Sequence, residues 1–376
     1  MLTKHQEKVW ELYRKLETSV AVAKELKVTR QATDKTIKAI KVKLAKKGIV
    51  GDVDVSGHVG EGYMIKGTST MLNAEGETIL TWVKTTADLE RQHDAMMAAI
   101  DVMSKDIKRV SAVKRPKLQN KSLLNCYTIT DYHLGMLSWK EETGGTWDLK
   151  KAENMLVSWF EQAIATSPNA NDAVFAQLGD FMHWDGLDAV TPMNKHVLDA
   201  DSRFQKLVRV AIRVLRRVID MLLHKHQMVS VIFAEGNHDL ASSVWLREMF
   251  STLYENEPRV KVDVNPDPYY CHEFGQTSLF FHHGHKKAKT AISDVFVAKF
   301  REVFGRTKFS YGHMGHLHHN WVKEDNLMTI EQHRTLASPD AYAARGGWMS
   351  GREAKVITYH KEFGEVSRVI ISDKMV

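Results

Sequence analysis

Five short stretches of this chain gather side chains that bind cations or carry protons. They are Asp131-x-His133, Gly179-Asp180, Gly236-Asn237-His238-Asp239, His283-Gly284 and Gly315-His316-x-His318. Imidazole, carboxylate and amide groups together suit manganese, iron or zinc better than magnesium or calcium. A carboxylate among them can bridge two cations, whereas an imidazole cannot. In Asp-x-His and His-x-His the two ligands stand two residues apart. In a locally extended backbone such side chains share a face, so both can turn toward one ion.

Elements must bring these stretches together, and each stretch follows an apolar run that reads as a strand. The runs are Leu123 to Ile129, Ala173 to Leu178, Met228 to Ala234, Thr277 to Phe281 and Phe309 to Tyr311. Amphipathic or long helical segments lie between them, over Lys150 to Ala165, Asp201 to Lys225, Ser242 to Tyr254 and Ala291 to Phe304. Leu327 to Leu336 and Lys355 to Ile371 are β-rich, with a turn at Gly364. Alternating strands and helices describe a layered α/β domain over 122–376. Open α/β sheets release their chains into ligand-binding loops at strand ends, where all five stretches fall.

The first 48 residues have a different texture. Lys4 to Lys15, a segment capped by Thr18 or Ser19 through Leu26, and a segment capped by Thr29 from Arg30 to about Lys46 read as three helices. Ala23 to Thr33 resembles the helix-turn-helix of bacterial DNA-binding domains. Its second helix would present Arg30, Gln31, Thr33, Lys35 and Lys38, with Arg and Gln suited to base edges and Lys to phosphate. A plain three-helix bundle with a basic face is the alternative. Residues 49–121 form a connector. It holds a hairpin of Tyr63 to Leu72 and Thr78 to Lys84, a long polar helix from Ala87 to Lys108 that serves as a strut, and a basic linker from Val110 to Lys121.

Bulk properties set bounds. The chain has 376 residues, net charge +6, 19 histidines and two cysteines, Cys126 and Cys271. Two cysteines fit buried thiols and a reducing cytoplasm better than a disulfide. No run of about 18 apolar residues predicts a membrane span, and the polar start lacks the apolar core of a signal peptide. The basic balance is a mild hint of a polyanionic partner.

The five stretches, in this order between Leu123 and His319, resemble the calcineurin-like metallophosphoesterase superfamily, which includes the SbcD-type DNA nucleases. That resemblance implies a four-layer sandwich of two mixed β-sheets flanked by helices. It implies two divalent metal ions, Mn2+ first, with Fe, Zn or Mg as alternatives. The first would be held by Asp131, His133, Asp180 and His318. The second would be held by Asp180, Asn237, His283 and His316, with Asp180 as the bridge. His238 would protonate the leaving oxygen, and Asp239 would orient His238. A bridging hydroxide would attack the phosphoryl group.

The function expected is hydrolysis of phosphodiesters in nucleic acid, most of all DNA. Two alternatives remain: a phosphatase or phosphodiesterase on a nucleotide or other small phosphoester, and a non-enzymatic DNA-binding or assembly protein with a retained metal site. His183, His285 and Arg345 are candidate substrate contacts. Trp184 is expected to plug a loop, His282 to point away from the metals, and His313 to be structural. A terminal DNA reader joined to this hydrolase looks like a phage or mobile-element protein, which would act in the host cytoplasm. The long helices leave a homodimer possible.

Overall fold

The computed structural model describes residues 3–45, 49–50, 53–54, 63–72, 78–87, 114, 116, 119–192 and 196–376. Of the expected strut from Ala87 to Lys108 only Ala87 is described, and it is the last residue of a strand; the turn between the hairpin strands and most of the basic linker lie outside the described residues. The chain divides into two compact units, Met1–Asp101 and Val102–Val376.

The smaller unit begins with helices α1 (Lys4–Leu16), α2 (Ser19–Leu26) and α3 (Arg30–Ala45). Thr3 and Gln6 form a reciprocal capping box at the start of α1, and the Thr18 hydroxyl accepts from the Ala21 N–H at the start of α2. The Thr29 hydroxyl accepts from Ala32 in the same way, so a side chain starts each helix. Val9, Val22, Ile37 and Ile40 form the buried core of these helices. Two short strands, β1 (Ile49–Val50) and β2 (Val53–Asp54), pair antiparallel, as do β3 (Tyr63–Leu72) and β4 (Thr78–Ala87).

The larger unit is built on strands β5 (Asn120–Ile129), β6 (Ala170–Gln177), β7 (Met228–Phe233), β8 (Val260–Val262), β9 (Tyr270–Phe274), β10 (Thr277–Phe281), β11 (Phe309–Met314), β12 (Trp321–Glu324), β13 (Thr329–Gln332), β14 (Glu353–His360) and β15 (Gly364–Ser372). Its helices are α4 (Lys140–Thr143), α5 (Leu149–Thr166), α6 (Phe204–Lys225), α7 (Leu240–Leu253), α8 (Ile292–Lys299), α9 (Arg301–Arg306) and α10 (Ala341–Arg345). The helix expected over Ala291 to Phe304 is broken at Phe300 into α8 and α9.

One sheet runs β15-β14-β5-β6-β7-β8 and the other β12-β13-β11-β10-β9. In the first, β5 to β8 are parallel and β14 and β15 antiparallel. In the second, β10, β11 and β13 are parallel, with antiparallel β9 and β12 at the edges. The two mixed sheets flanked by helices are the architecture that the resemblance implies.

The sheets meet across a core that includes Leu124, Cys126, Val174, Ile232, Leu279, Phe281 and Ile357. Alternation explains this layer, because neighbours such as Tyr127, Phe175 and Phe233 turn to the other face. There Tyr127 and Phe175 contact Phe160 of α5, and Phe233 contacts Phe250 of α7. On the second sheet, Phe280 and Ile330 pack against Ile292 and Phe296 of α8. Both cysteines are free thiols. Among the described residues no helix is long and apolar enough to cross a membrane.

Candidate metal centre

All five ligand-bearing stretches leave carboxyl ends of parallel strands: β5, β6 and β7 in one sheet, β10 and β11 in the other. The backbone there departs from the expected extended form. Seven non-glycine residues have positive φ among the described residues, and two of these, Glu17 and Lys27, end helices. The other five are Asp131 (48°), His133 (47°), Asp180 (52°), His316 (74°) and His318 (57°). Alternate left-handed residues, not an extended segment, aim the paired side chains. Each such residue costs about 1–3 kcal/mol, so the surrounding contacts must hold it in place.

Those contacts are specific. Asp131 Oδ2 accepts from the Thr130 hydroxyl at 2.5 Å and from the His316 N–H at 2.8 Å. The Thr335 hydroxyl donates to the Asp131 carbonyl at 2.6 Å. The His133 N–H donates to the Asp180 carbonyl at 3.0 Å. Gly315 makes room for this approach, because a Cβ there would lie 1.8 Å from Thr130 Oγ1 and 2.6 Å from Asp131 Oδ2. Gly236 does the same on the other side, where a Cβ would lie 2.1 Å from Asp180 Oδ1.

Two ligand groups result. Asp131, His133 and His318 offer ligand atoms within 4.8 Å of one another, as do Asp131, Asp180, His283 and His316. Asp131 is common to both groups, and Asp180, the bridge that the resemblance implies, belongs to the second. Asp131 Oδ1 lies 3.2 Å from His318 Nε2 and 3.8 Å from His283 Nε2. Asp180 Oδ1 is occupied by the His238 N–H at 2.7 Å, which leaves Oδ2 facing His283 Nε2 at 3.1 Å. Asn237 Oδ1 lies 3.2 Å from the same nitrogen.

The chemistry of this donor set fits a cation. Asp131 Oδ1 is buried with imidazole nitrogens as its near neighbours, and a buried carboxylate is costly unless positive charge meets it. His283 Nδ1 lies 2.9 Å from the Leu178 carbonyl, to which it donates, so Nε2 is the nitrogen that faces the two aspartates. Burial works against charge on His283, yet Asp180 and Asp131 outweigh it and raise its pKa to about 10. The pocket attracts positive charge at the point where a metal would sit.

His238 stands against the first group, its ring 4.8 Å from that of His133. Its Nδ1 lies 2.8 Å from the His183 carbonyl. Asp239 does not orient this ring. Its Oδ1 accepts from the N–H groups of Asp180 and Gly236, and its Oδ2 from those of Phe181 and Met182. With both oxygens engaged by backbone, Asp239 clamps the turn that carries Asp180. Asp185 ties the same turn to α7, accepting from the Ala241 and Ser242 N–H groups and the Ser242 hydroxyl. Thr130, Thr335 and Asp185 were not singled out from sequence. Thr130 stands next to a ligand in the chain, but Thr335 has no local signal.

The three candidate substrate contacts separate. His285 is largely buried, its ring 5.3 Å from His283 and 6.4 Å from His316; neither ring nitrogen makes a hydrogen bond, and Nε2 lies 3.8 Å from Glu235 Oε1. Burial first, then His283, lowers its pKa to about 4. His183 is 1% exposed and pairs with His133, so it lies behind a ligand and not on an open face. Arg345 is paired with Glu142 of α4. His282 stacks on Tyr269 at 4.5 Å, and Trp184 is buried. On α3, Gln31, Lys35 and Lys38 are exposed and Arg30 pairs with Asp34. Thr33 is buried and donates to the Thr29 carbonyl, so it cannot reach a base as expected.

No protein-family model matches the chain, and no curated protein does. Among solved structures the chain is similar to a conserved uncharacterized protein, described as a predicted phosphoesterase, from Streptococcus pneumoniae TIGR4. The identity is 9%, covering 67% of this chain and 99% of that one, with TM-score 0.30. A novel archaeal phosphodiesterase matches at 10% identity over 66% of this chain and 99% of its own, with TM-score 0.35. Vps29 complexed with zinc, from Entamoeba histolytica, matches at 11% identity over 66% and 99%, with TM-score 0.29.

Proposed function

We propose that this chain is a calcineurin-like metallophosphoesterase that hydrolyses phosphodiesters in nucleic acid, DNA above all. One observation carries the hydrolase part. Two buried aspartates converge with histidines from separate strand ends, their ligand atoms within 4.8 Å of one another. Asp131, His133 and His318 would hold one divalent ion, and Asp131, Asp180, Asn237, His283 and His316 a second. A pair of bound ions would lower the pKa of water and neutralise phosphoryl oxygens. Asp180 anchors His238 through the backbone, and the His183 carbonyl fixes its Nδ1 proton, so Nε2 is the atom available to the leaving oxygen. General-acid assistance of this kind is worth about 10²–10⁴-fold.

The nucleic-acid part is supported by α1 to α3, by exposed Gln31, Lys35 and Lys38, and by a net charge of +6. A second reading, a small phosphoester substrate, is favoured by the burial of Thr33 and the pairing of Arg30 with Asp34. The test is a panel of linear DNA, nucleotides and a chromogenic diester assayed with manganese, for wild type and His238→Ala. DNA cleavage that His238→Ala abolishes, with metal still bound, supports the proposal. Phosphate release from nucleotides without DNA cleavage supports the second reading, and no hydrolysis of any substrate overturns both.

A further inference from the structure

His183 touches two histidines of the centre with two different atoms. Its carbonyl oxygen lies 2.8 Å from His238 Nδ1, and its own Nδ1 lies 3.3 Å from His133 Nδ1. It stacks on His238 at 5.6 Å and 17°, and it meets His133 edge-on at 5.2 Å and 90°. Its placement is secured by its N–H, which donates to the Leu134 carbonyl at 3.1 Å, and by the bridge of Met182 to Leu134. It is 1% exposed.

We propose that His183 is a positioning residue that sets the proton positions of both neighbours at once. A carbonyl oxygen only accepts, so His238 Nδ1 carries a hydrogen and its Nε2 faces outward. Two imidazole nitrogens 3.3 Å apart need one hydrogen between them. With His133 binding through Nε2, that hydrogen is on His133 Nδ1 and His183 Nδ1 accepts it. A ligand histidine held in this way keeps its metal-binding nitrogen bare and its ring aimed. The two arms differ in kind. The arm to His133 belongs to the side chain, and the arm to His238 belongs to the backbone. Substitution of His183 therefore removes the first arm and spares the second.

This inference rests on the metallophosphoesterase reading, and its test separates the two. Manganese binding to metal-free protein is titrated for wild type, His183→Ala, His183→Leu and His183→Asn, with thermal melts as a check on folding. Wild type is expected to take two equivalents. His183→Ala and His183→Leu are expected to lose about 10–100-fold in affinity for one equivalent only, the usual scale for a partner behind a ligand. His183→Asn offers an acceptor oxygen near the Nδ1 position and is expected to retain wild-type affinity. Imidazole nitrogen NMR of the metal-free proteins should show His238 protonated at Nδ1 in all four, and His133 at Nδ1 only in wild type and His183→Asn. Unchanged binding by His183→Leu, or equal weakness of Asn and Leu variants, overturns the inference alone. So does a third wild-type equivalent that His183→Ala loses, because His133, His183 and His238 would then hold an ion themselves. A wild-type protein that binds no metal overturns the metallophosphoesterase reading and this inference together.

Discussion

Two buried groups of histidine and carboxylate lie in the larger unit, and they are built from the same residue types. In one, Asp131 and Asp180 face His283, His316 and His318, and their ion-pair partners among the described residues are imidazoles alone. In the other, His313, Glu331 and His333 also lie within 4.8 Å of one another. There Glu331 Oε1 meets Lys355 Nζ at 2.6 Å and an Arg368 nitrogen at 3.3 Å. His313 bonds His333 and the Tyr359 hydroxyl, both at 3.0 Å.

The backbones differ as well. His313 and Glu331 sit on paired strands β11 and β13, whereas Asp131, Asp180, His316 and His318 sit on strained turns. Residue type alone does not distinguish a metal centre from a structural cluster. The two groups differ in the positive charge that faces them. Lys355 and Arg368 face the carboxylate of one group, while the carboxylates of the other face imidazoles.

The largest expected effect tests the group of Asp131 and Asp180. Asp180→Asn should lower manganese-dependent hydrolysis of a diester on the order of 10³-fold, the scale of several kcal/mol of lost charge stabilisation. Wild-type turnover in that variant would erase the contrast. Glu331→Gln should act on the other quantity. It strands the buried Lys355 charge and should cost about 3–5 kcal/mol of unfolding free energy while metal stoichiometry stays at the wild-type value. Denaturant melts and metal analysis check both halves, and loss of metal would show the groups to be one system.

Gly236→Ala should have a smaller and more selective effect. Its Cβ would lie 2.2 Å from the Asp180 nitrogen, so the turn must shift. Manganese affinity is expected to fall about tenfold or more with the fold retained, measured by titration and circular dichroism. The smallest effect is one of pH. Burial pushes the Glu331 carboxyl up, but His333 and Lys355 outweigh it and hold the pKa at about 2, against an ordinary 4.5. A depressed acid stabilises the fold above its unfolded pKa. That contribution should be present above about pH 4.5 and fade as pH falls toward 2. Melts between those values should show the slope in wild type and a flatter one in Glu331→Gln; equal slopes would remove Glu331 as the cause.

Much of this centre was legible in the chain. The apolar runs have strand length, each ends in a glycine or polar break, and the ligand types follow at once. That local pattern places Asp131, His133, Asp180, Asn237, His283, His316 and His318 at strand ends. The mode of presentation was not legible, because left-handed backbone at Asp131 or His318 is imposed by contacts from distant residues such as Thr335. Asp239 misled for a related reason. It adjoins His238 in sequence, but at the start of α7 its carboxylate meets the backbone amides of 180 to 182 instead.

Thr33 shows the same limit in the smaller unit, where helical spacing does not by itself say which side meets Val9 and Ile40. The sequence by itself determined the ligand types, their order along the chain and the alternating elements that carry them. These are local properties of pattern and composition. Only the tertiary structure decided that Asp131 is common to two ligand groups, that His183 stands behind His133, and that Glu331 meets Lys355 and Arg368 while Asp131 meets imidazoles. Each depends on which charges and hydrogen-bond donors arrive from other strands, and burial sets how much each arrival matters.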